Sequence, residues 1–260
     1  MITYSLLDKY TEIAHFCTSR QGGVSVGNYA SNNLSPFSGD KPEHFNENKR
    51  MLCNKLGIDP SRLIIPFQNH GTEVREINTE FFQLSSEQQA DYLNGVDAIF
   101  TPLTQVCISI TTADCVPLLF FDPTRQVIAA AHAGWRGTCG RIAEKTITAL
   151  TRTYNCRPSD ICVVIGPSIS AEVYEVGQEV IDNFGNAGFD LDRIVIRNNE
   201  SLFLDLWEAN RQSLLGHGIL PDHIETAEIC TYTQHQRFFS ARRLGIKSGR
   251  ILSGIMLKDV

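Results

Sequence analysis

The stretch TTADCVPLLFFDPTRQVIAAAHAGWRGTCG, residues 111–140, holds two apolar runs on either side of a turn. The first run, 116–122, opens directly after Cys115. The second, 126–134, carries His132 near its far end. Short continuous apolar runs bounded by turn residues read as buried strands. Asp122-Pro123-Thr124-Arg125 supplies turn chemistry between them. If the two runs pair as a hairpin, their outer ends lie side by side, and Cys115 and His132 become neighbours.

The pattern continues on both sides. Residues 12–18, 62–71, 97–101, 106–112, 161–170 and 249–257 read as further strands, and 237–243 as a strand leading into a basic turn. Helical spacing marks 42–57, with Gly57 as its stop, then 139–154, 177–188 and 204–218. Residues 19–40 form a long loop rich in Gly, Ser and Asn. Strands and helices are interspersed, but several strands adjoin each other directly. That favours α+β over a doubly wound parallel fold: one domain over 1–260, built on mixed β-sheets.

Composition excludes several classes of function. The chain has 260 residues and a formal net charge of -6. No run of Lys or Arg exceeds two, so neither a nucleic acid nor a membrane surface is an expected partner. No apolar run approaches the length that spans a bilayer. The N-terminal MITYSLLDKYTEIAHF lacks the basic start and apolar core of a signal peptide. The expected location is the cytoplasm. The eight cysteines include no CxxC pair. In that setting they are expected as reduced thiols, with Cys53, Cys107, Cys156 and Cys162 serving as packing residues.

Cys115 and His132 at adjacent strand ends, with His70 delivered by 62–71, make one reading of the chemistry. One Cys and two His suit a three-ligand zinc site with an open fourth position. A second reading takes Cys115 and His132 as a thiolate–imidazole pair for covalent catalysis, with Asp114 orienting the histidine. That would be a Cys-His hydrolase or amidase. A third is a metal-binding protein without catalysis.

QNHG (68–71), TADCVPLLFFD (112–122) and AAHAGWRGT (130–138) resemble the laccase-domain family, formerly the multicopper polyphenol oxidoreductases and now associated with purine nucleoside phosphorylase activity. SRQGGVSVGNY, NNLSPFSGD, NENKRML, IGPSISAEVYEVG, LDLWEANRQSLL and CTYTQHQRFFSARR match its other blocks in order. Asn69 stands where a small apolar residue is usual, and Ser168 where Cys is frequent. The resemblance implies a four-layer α/β/β/α sandwich and a metal, zinc in preference to copper, on His70, Cys115 and His132. It also implies phosphorolysis of adenosine, inosine, guanosine and methylthioadenosine, with adenosine deaminase as a side activity. Purine nucleosides and phosphate are then the expected partners.

The older oxidase name does not suit the residues. A multicopper oxidase needs about four coppers and roughly ten histidine ligands. This chain has seven His and no His-x-His pair. His15, His44, His217, His223 and His235 are scattered and expected at the surface or at helix ends. Phosphate, by contrast, favours Arg and backbone N–H groups. The candidates are Arg20 before Gly22-Gly23, Arg50, Arg136 and Arg242, with Arg243 beside it. Arg136 is preferred because it follows His132 closely, with Arg20 or Arg242 as the opposing clamp. Trp135 is a candidate to stack on a base or to fill the core.

Overall fold

The computed structural model describes residues 1–259. Its strands run β1 Ile13–Cys17, β2 Leu63–Ile64, β3 Glu73–Glu76, β4 Val96–Thr101, β5 Cys107–Thr112, β6 Val116–Asp122 and β7 Val127–Ala133. They continue with β8 Cys162–Ile165, β9 Glu175–Val176, β10 Val195–Asn198, β11 Ser201–Leu204, β12 Ile224–Thr226 and β13 Ile251–Leu257. The helices are α1 Ser5–Asp8, α2 Pro42–Leu56, α3 Ser86–Tyr92, α4 Trp135–Cys139, α5 Ile142–Tyr154, α6 Gln178–Asn186, α7 Leu191–Ile194, α8 Leu206–Gly216 and α9 Ala241–Leu244.

Two sheets stack face to face. One has the order β1-β13-β5-β2, the other β12-β8-β6-β7-β4-β3; β10, β11 and β9 form a small third sheet. Both large sheets are mixed, since β2–β5, β3–β4 and β12–β8 pair parallel while the other pairs are antiparallel. Side chains alternate across a strand, and the apolar cores follow that alternation. Val116, Leu118 and Phe120 of β6 face α5, α6 and α8. Leu119 and Phe121 turn the other way, toward Ile108, Ile110 and Ile255 of the first sheet. The outer face of that sheet packs Cys107, Leu252 and Met256 against Leu52 and Cys53 of α2. The layers are therefore α2, sheet, sheet, and the α5/α6/α8 group. Among the described residues no helix is long and apolar enough to cross a membrane.

The hairpin at the centre follows the sequence reading. β6 and β7 pair from Val116↔Ala133 to Asp122↔Val127. α2 ends at Gly57, whose φ of 70° suits a residue without a Cβ. Four segments differ. The stretch 62–71 is strand only over Leu63–Ile64; past Pro66 the chain turns away, with His70 at φ 64°. The segment 161–170 is a strand only over Cys162–Ile165. Of the helix expected over 139–154, Ile142–Tyr154 forms α5; Cys139 ends a separate short helix, α4, and Arg141 between the two takes φ 65°. α4 starts at Trp135, so Gly-Trp-Arg-Gly is a helix start. Arg237–Arg243 is not a strand: Ser240 caps α9 by accepting from the Arg243 N–H.

Candidate metal centre

Register places the first two donors. Pro117 lies opposite His132, and Cys115 sits just beyond the last pair, Val116↔Ala133. Both donors share the parity of Leu119 and Ile128, so both face the gap between the sheets, at its open end. β4 flanks β7 on the other side, with Ala98↔Ala131 as the first pair. Asp97, one residue earlier, therefore falls beside His132, and its Oδ1 lies 2.7 Å from His132 Nδ1.

His70 arrives on a loop, and two devices hold that loop. Gln68 acts as a substitute peptide group against β5: its Nε2 donates to the Thr111 carbonyl at 2.9 Å, and its Oε1 accepts the Thr111 N–H at 2.8 Å. The Asp97 carboxylate accepts the N–H groups of Asn69, His70 and Gly71 at 3.3, 3.1 and 2.7 Å. Asp97 thus ties two of the three donors to one buried anion. The donor atoms of His70, Cys115 and His132 all lie within 4.8 Å of one another. Gly134 allows this closeness, because a Cβ there would stand 3.0 Å from Cys115 Sγ and 3.4 Å from His70 Cδ2.

Electrostatics prepare the donors. Burial alone would push the Cys115 thiol up, but His132 and His70 overcome it and bring it down to about 6. Burial would likewise lower His132; the Cys115 thiolate and the Asp97 carboxylate raise it to about 9 instead. The buried cysteines elsewhere show the contrast. Desolvation dominates at Cys17, Cys107 and Cys156 and raises them all. A thiolate with two imidazoles, one oriented by a carboxylate, is a donor set that fits a tetrahedral metal such as zinc.

Two cavities meet over Cys115, and both touch Ala113, Ala241 and Ile246. One, about 290 Å³, is bounded by His70, His132, Gln68, Thr111, Ser35 and Arg250. The other, about 490 Å³, is bounded by Trp135, Tyr174, Leu206, Ile169, Asp114 and Arg242. Arg242 joins this wall through its backbone N–H, which donates to Asp114 Oδ2 at 2.7 Å, and its guanidinium lies 5.2 Å from the Tyr174 ring. Asp114 also accepts from Thr231 and Ser240 hydroxyls at 2.7 and 3.0 Å. It anchors the Arg242 segment; Asp97, not Asp114, orients the histidine.

The other sequence candidates scatter. Arg136 is exposed and stacks on Trp135 at 4.4 Å, beside the larger cavity. Trp135 lines the larger cavity and packs its inner side on the core. Arg20 gives its donors to the carbonyls of Ala30 and His235 at 3.0 and 2.7 Å. Arg50 is exposed on α2 and pairs with Glu47 at 2.7 Å. Arg243 reaches the Tyr232 hydroxyl at 3.4 Å. His15, expected at the surface, is buried in β1. Sequence reasoning passed over Asp97, Tyr174, Gly134 and Arg250. For Asp97 a signal existed: it is a lone carboxylate in the apolar run VDAIFT.

Fold and site together define a mixed α+β protein with a His–Cys–His metal-type cluster under a cleft. Comparison with known proteins then fixes the family. Residues 14–258 match the family described as multi-copper polyphenol oxidoreductase laccase, and the chain belongs to it. It is 47% identical to a purine nucleoside phosphorylase of Bacteroides thetaiotaomicron over 259 residues, covering 99% of this chain and 96% of that one. It is 39% identical over 246 residues to adenosine deaminase RL5 from an unknown prokaryotic organism, covering 94% and 93%. Among solved structures, YlmD of Geobacillus stearothermophilus superposes with a TM-score of 0.89 at 31% identity, covering 96% of this chain and 93% of that one.

Proposed function

We propose that the whole chain, 1–260, acts as one domain and as a zinc-dependent purine nucleoside phosphorylase with adenosine deaminase as a side activity. The supporting observation is the placement of the His70–Cys115–His132 cluster at the junction of two cavities, one of them walled by aromatic rings and Arg242. A two-His, one-Cys set accepts copper as well as zinc; zinc is preferred because three protein donors with a fourth place for water or substrate is the pattern of catalytic zinc. Bound there, it would supply Lewis acidity toward substrate oxygen or water.

The residues have distinct tasks in this reading. Trp135 and Tyr174 offer ring faces to a purine. The Tyr174 hydroxyl, raised to about 12 chiefly by burial, stays protonated and can donate. Arg242 and Arg136 both lie close enough to Tyr174 to act on its charge, and they form the anion clamp. Arg20 and Arg50, engaged with carbonyls and with Glu47, remain as weaker phosphate candidates. In phosphorolysis a phosphate oxygen bonds to ribose C1′, the C1′–N bond breaks, and its electron pair leaves with the base, which takes a proton. Holding the dianion in line with that bond is the main service the protein renders. Adenosine, inosine, guanosine and methylthioadenosine share the bond that breaks.

The test is chromatography of products from adenosine and inosine, with and without phosphate. Free base and ribose 1-phosphate should form only with phosphate, and inosine should form from adenosine without it. Arg242→Lys keeps the charge and the backbone anchor but loses the planar fork. It should raise the phosphate KM and leave deamination less affected. A zinc-loaded protein that consumes no nucleoside would overturn the reading. The Cys115–His132 thiolate–imidazolium pair supports a Cys-dependent hydrolase as the second reading. That reading requires loss of activity on alkylation in a protein that holds no stoichiometric metal.

A further inference from the structure

A third cavity, about 600 Å³, opens between α2, α3 and the loop after β2, and none of the three metal donors lines it. It exceeds both cavities at the metal centre in volume and falls within the range of small-molecule sites. Its walls include Phe37, Phe45, Phe67, Phe81 and Leu63. Phe37, Phe45 and Phe67 belong to none of the three apolar cores. Phe37 and Phe67 are 50% and 42% exposed, and they stack edge to face at 4.8 Å. Rings of this size left open to water, and clustered, mark a binding surface more than a packing fault.

One cation enters this apolar hollow. Lys49 of α2 lines it, half-buried. Among the described residues no carboxylate comes within ion-pair distance of its ammonium. The groups acting on it from neighbouring positions are Cys53 and Asp59, and the latter is tied up by Ser61. The other charged lining residue, Asp91, is exposed on α3. Burial lowers the Lys49 pKa, the mark of an ammonium short of solvation.

We propose that this cavity binds an apolar monocarboxylate, its carboxylate on the Lys49 ammonium and its aryl or alkyl body against Phe45, Phe81 and Leu63. One ammonium matches one negative charge. The wall carries no arginine to match a second, and a dianion would leave a charge unpaired in an apolar hollow. Phe37 and Phe67 also wall the smaller cavity at the metal centre, so the occupant lies against its outer side. The proposal does not depend on the nucleoside reading.

Titration of the full-length, metal-loaded protein with 2-naphthoate, followed by fluorescence and calorimetry, tests it. Methyl 2-naphthoate is the uncharged comparator, and decanoate replaces the aryl body. Wild type should bind both acids saturably. Lys49→Met should weaken naphthoate about tenfold while the ester changes less than twofold. Ala90→Trp, at an exposed lining position of α3, fills the hollow and should abolish binding of acid and ester alike. Neither substitution touches the metal donors, so wild-type metal content certifies the fold of each variant. Naphthoate affinity unchanged in Lys49→Met, or no saturable binding of either acid to wild type, overturns the assignment.

Discussion

The β6–β7 hairpin has two ends of opposite character. At the turn, the Asp122 side chain closes the chain on itself: Oδ1 accepts the N–H groups of Thr124 and Arg125 at 2.8 and 2.9 Å. Gln126, at φ 51°, returns a hydrogen bond to the Pro123 carbonyl at 2.8 Å. At the open end nothing is satisfied locally. Cys115 and His132 meet there, but their partners His70 and Asp97 come from distant parts of the chain. The lesson is that one strand pair can carry a turn end closed chiefly by its own residues, with Arg125 Nε reaching out to the Asn155 carbonyl at 3.2 Å, and an assembled chemical end, separated by an apolar middle. Substitutions at the two ends should therefore have separable effects.

The largest effect belongs to the open end. Cys115→Ala removes the only thiolate in the cluster and leaves Asp97 as the one anion acting on His132. Metal content should fall to near zero and nucleoside turnover by at least about 100-fold, since a catalytic zinc held by only three protein donors would be left with two. Elemental analysis beside a product assay checks this. Full metal in the variant would show that the cluster is not the site and would remove the contrast between the ends.

Asp97→Asn sharpens the same point at the carboxylate that holds His132 and the His70 loop. The amide keeps one acceptor oxygen, turns its NH2 toward either the Asn69 and Gly71 N–H groups or the His70 N–H and the His132 ring, and loses the charge that raises His132. Carboxylates that orient a ligating histidine contribute about 10–100-fold in metal affinity. Competition with a chelating dye should show that loss, with all three donors still present.

The turn end should respond in the opposite sense. Asp122→Ala strands two backbone N–H groups and should cost about 1–2 kcal/mol in denaturant unfolding. Metal content and turnover per folded molecule should match wild type. Asp122→Asn, which keeps the acceptor, should recover most of that stability. Loss of metal in a folded Asp122→Ala protein would show that the two ends are coupled through the apolar middle.

This difference also explains what was legible in the sequence. The turn, both apolar runs and the stop of α2 at Gly57 depend on neighbouring residues, so local pattern reveals them. The ends of other elements depend on distant partners. The strand expected over 62–71 is cut short because Asp97 and Thr111, on other strands, bind its backbone and Gln68. The break at Arg141 rests on contacts to Ser213, Glu144 and the Ala187 carbonyl. The strand reading of 237–243 fails because Asp114 draws Ser240 and the Arg242 N–H inward. For the site, residue type and strand-end position pointed to Cys115 and His132. His70 sits on a loop and not at the strand end expected for it, so its place beside the other two rested on the resemblance, while Asp97 needed the register of β4 against β7. The arginines needed the fold itself: Arg50 and Arg242 are alike in sequence, yet one pairs with Glu47 on an outer helix and the other walls the cleft.

The smallest effect separates two buried histidines. His132, at the open end, is raised by its anionic neighbours. His15 of β1 is lowered, chiefly by burial, with Asp8 only partly offsetting it. Its Nε2 accepts the Tyr4 N–H at 3.0 Å, so the folded chain holds this ring neutral. The unfolded chain has no such constraint and takes up a proton near pH 6.5. Its contribution to stability is thus fully present above that pH and declines as pH falls through 6.5 toward the lower folded value. For one group the slope is at most about 1.4 kcal/mol per pH unit. His15→Gln keeps a neutral acceptor for Tyr4 and cannot titrate. Between pH 5 and 7 its unfolding free energy should show a shallower decline toward acid than wild type, with metal content at pH 7 unaltered. Equal slopes in the two proteins would mean that His15 is as free to take a proton folded as unfolded, and that burial in β1 does not set its charge.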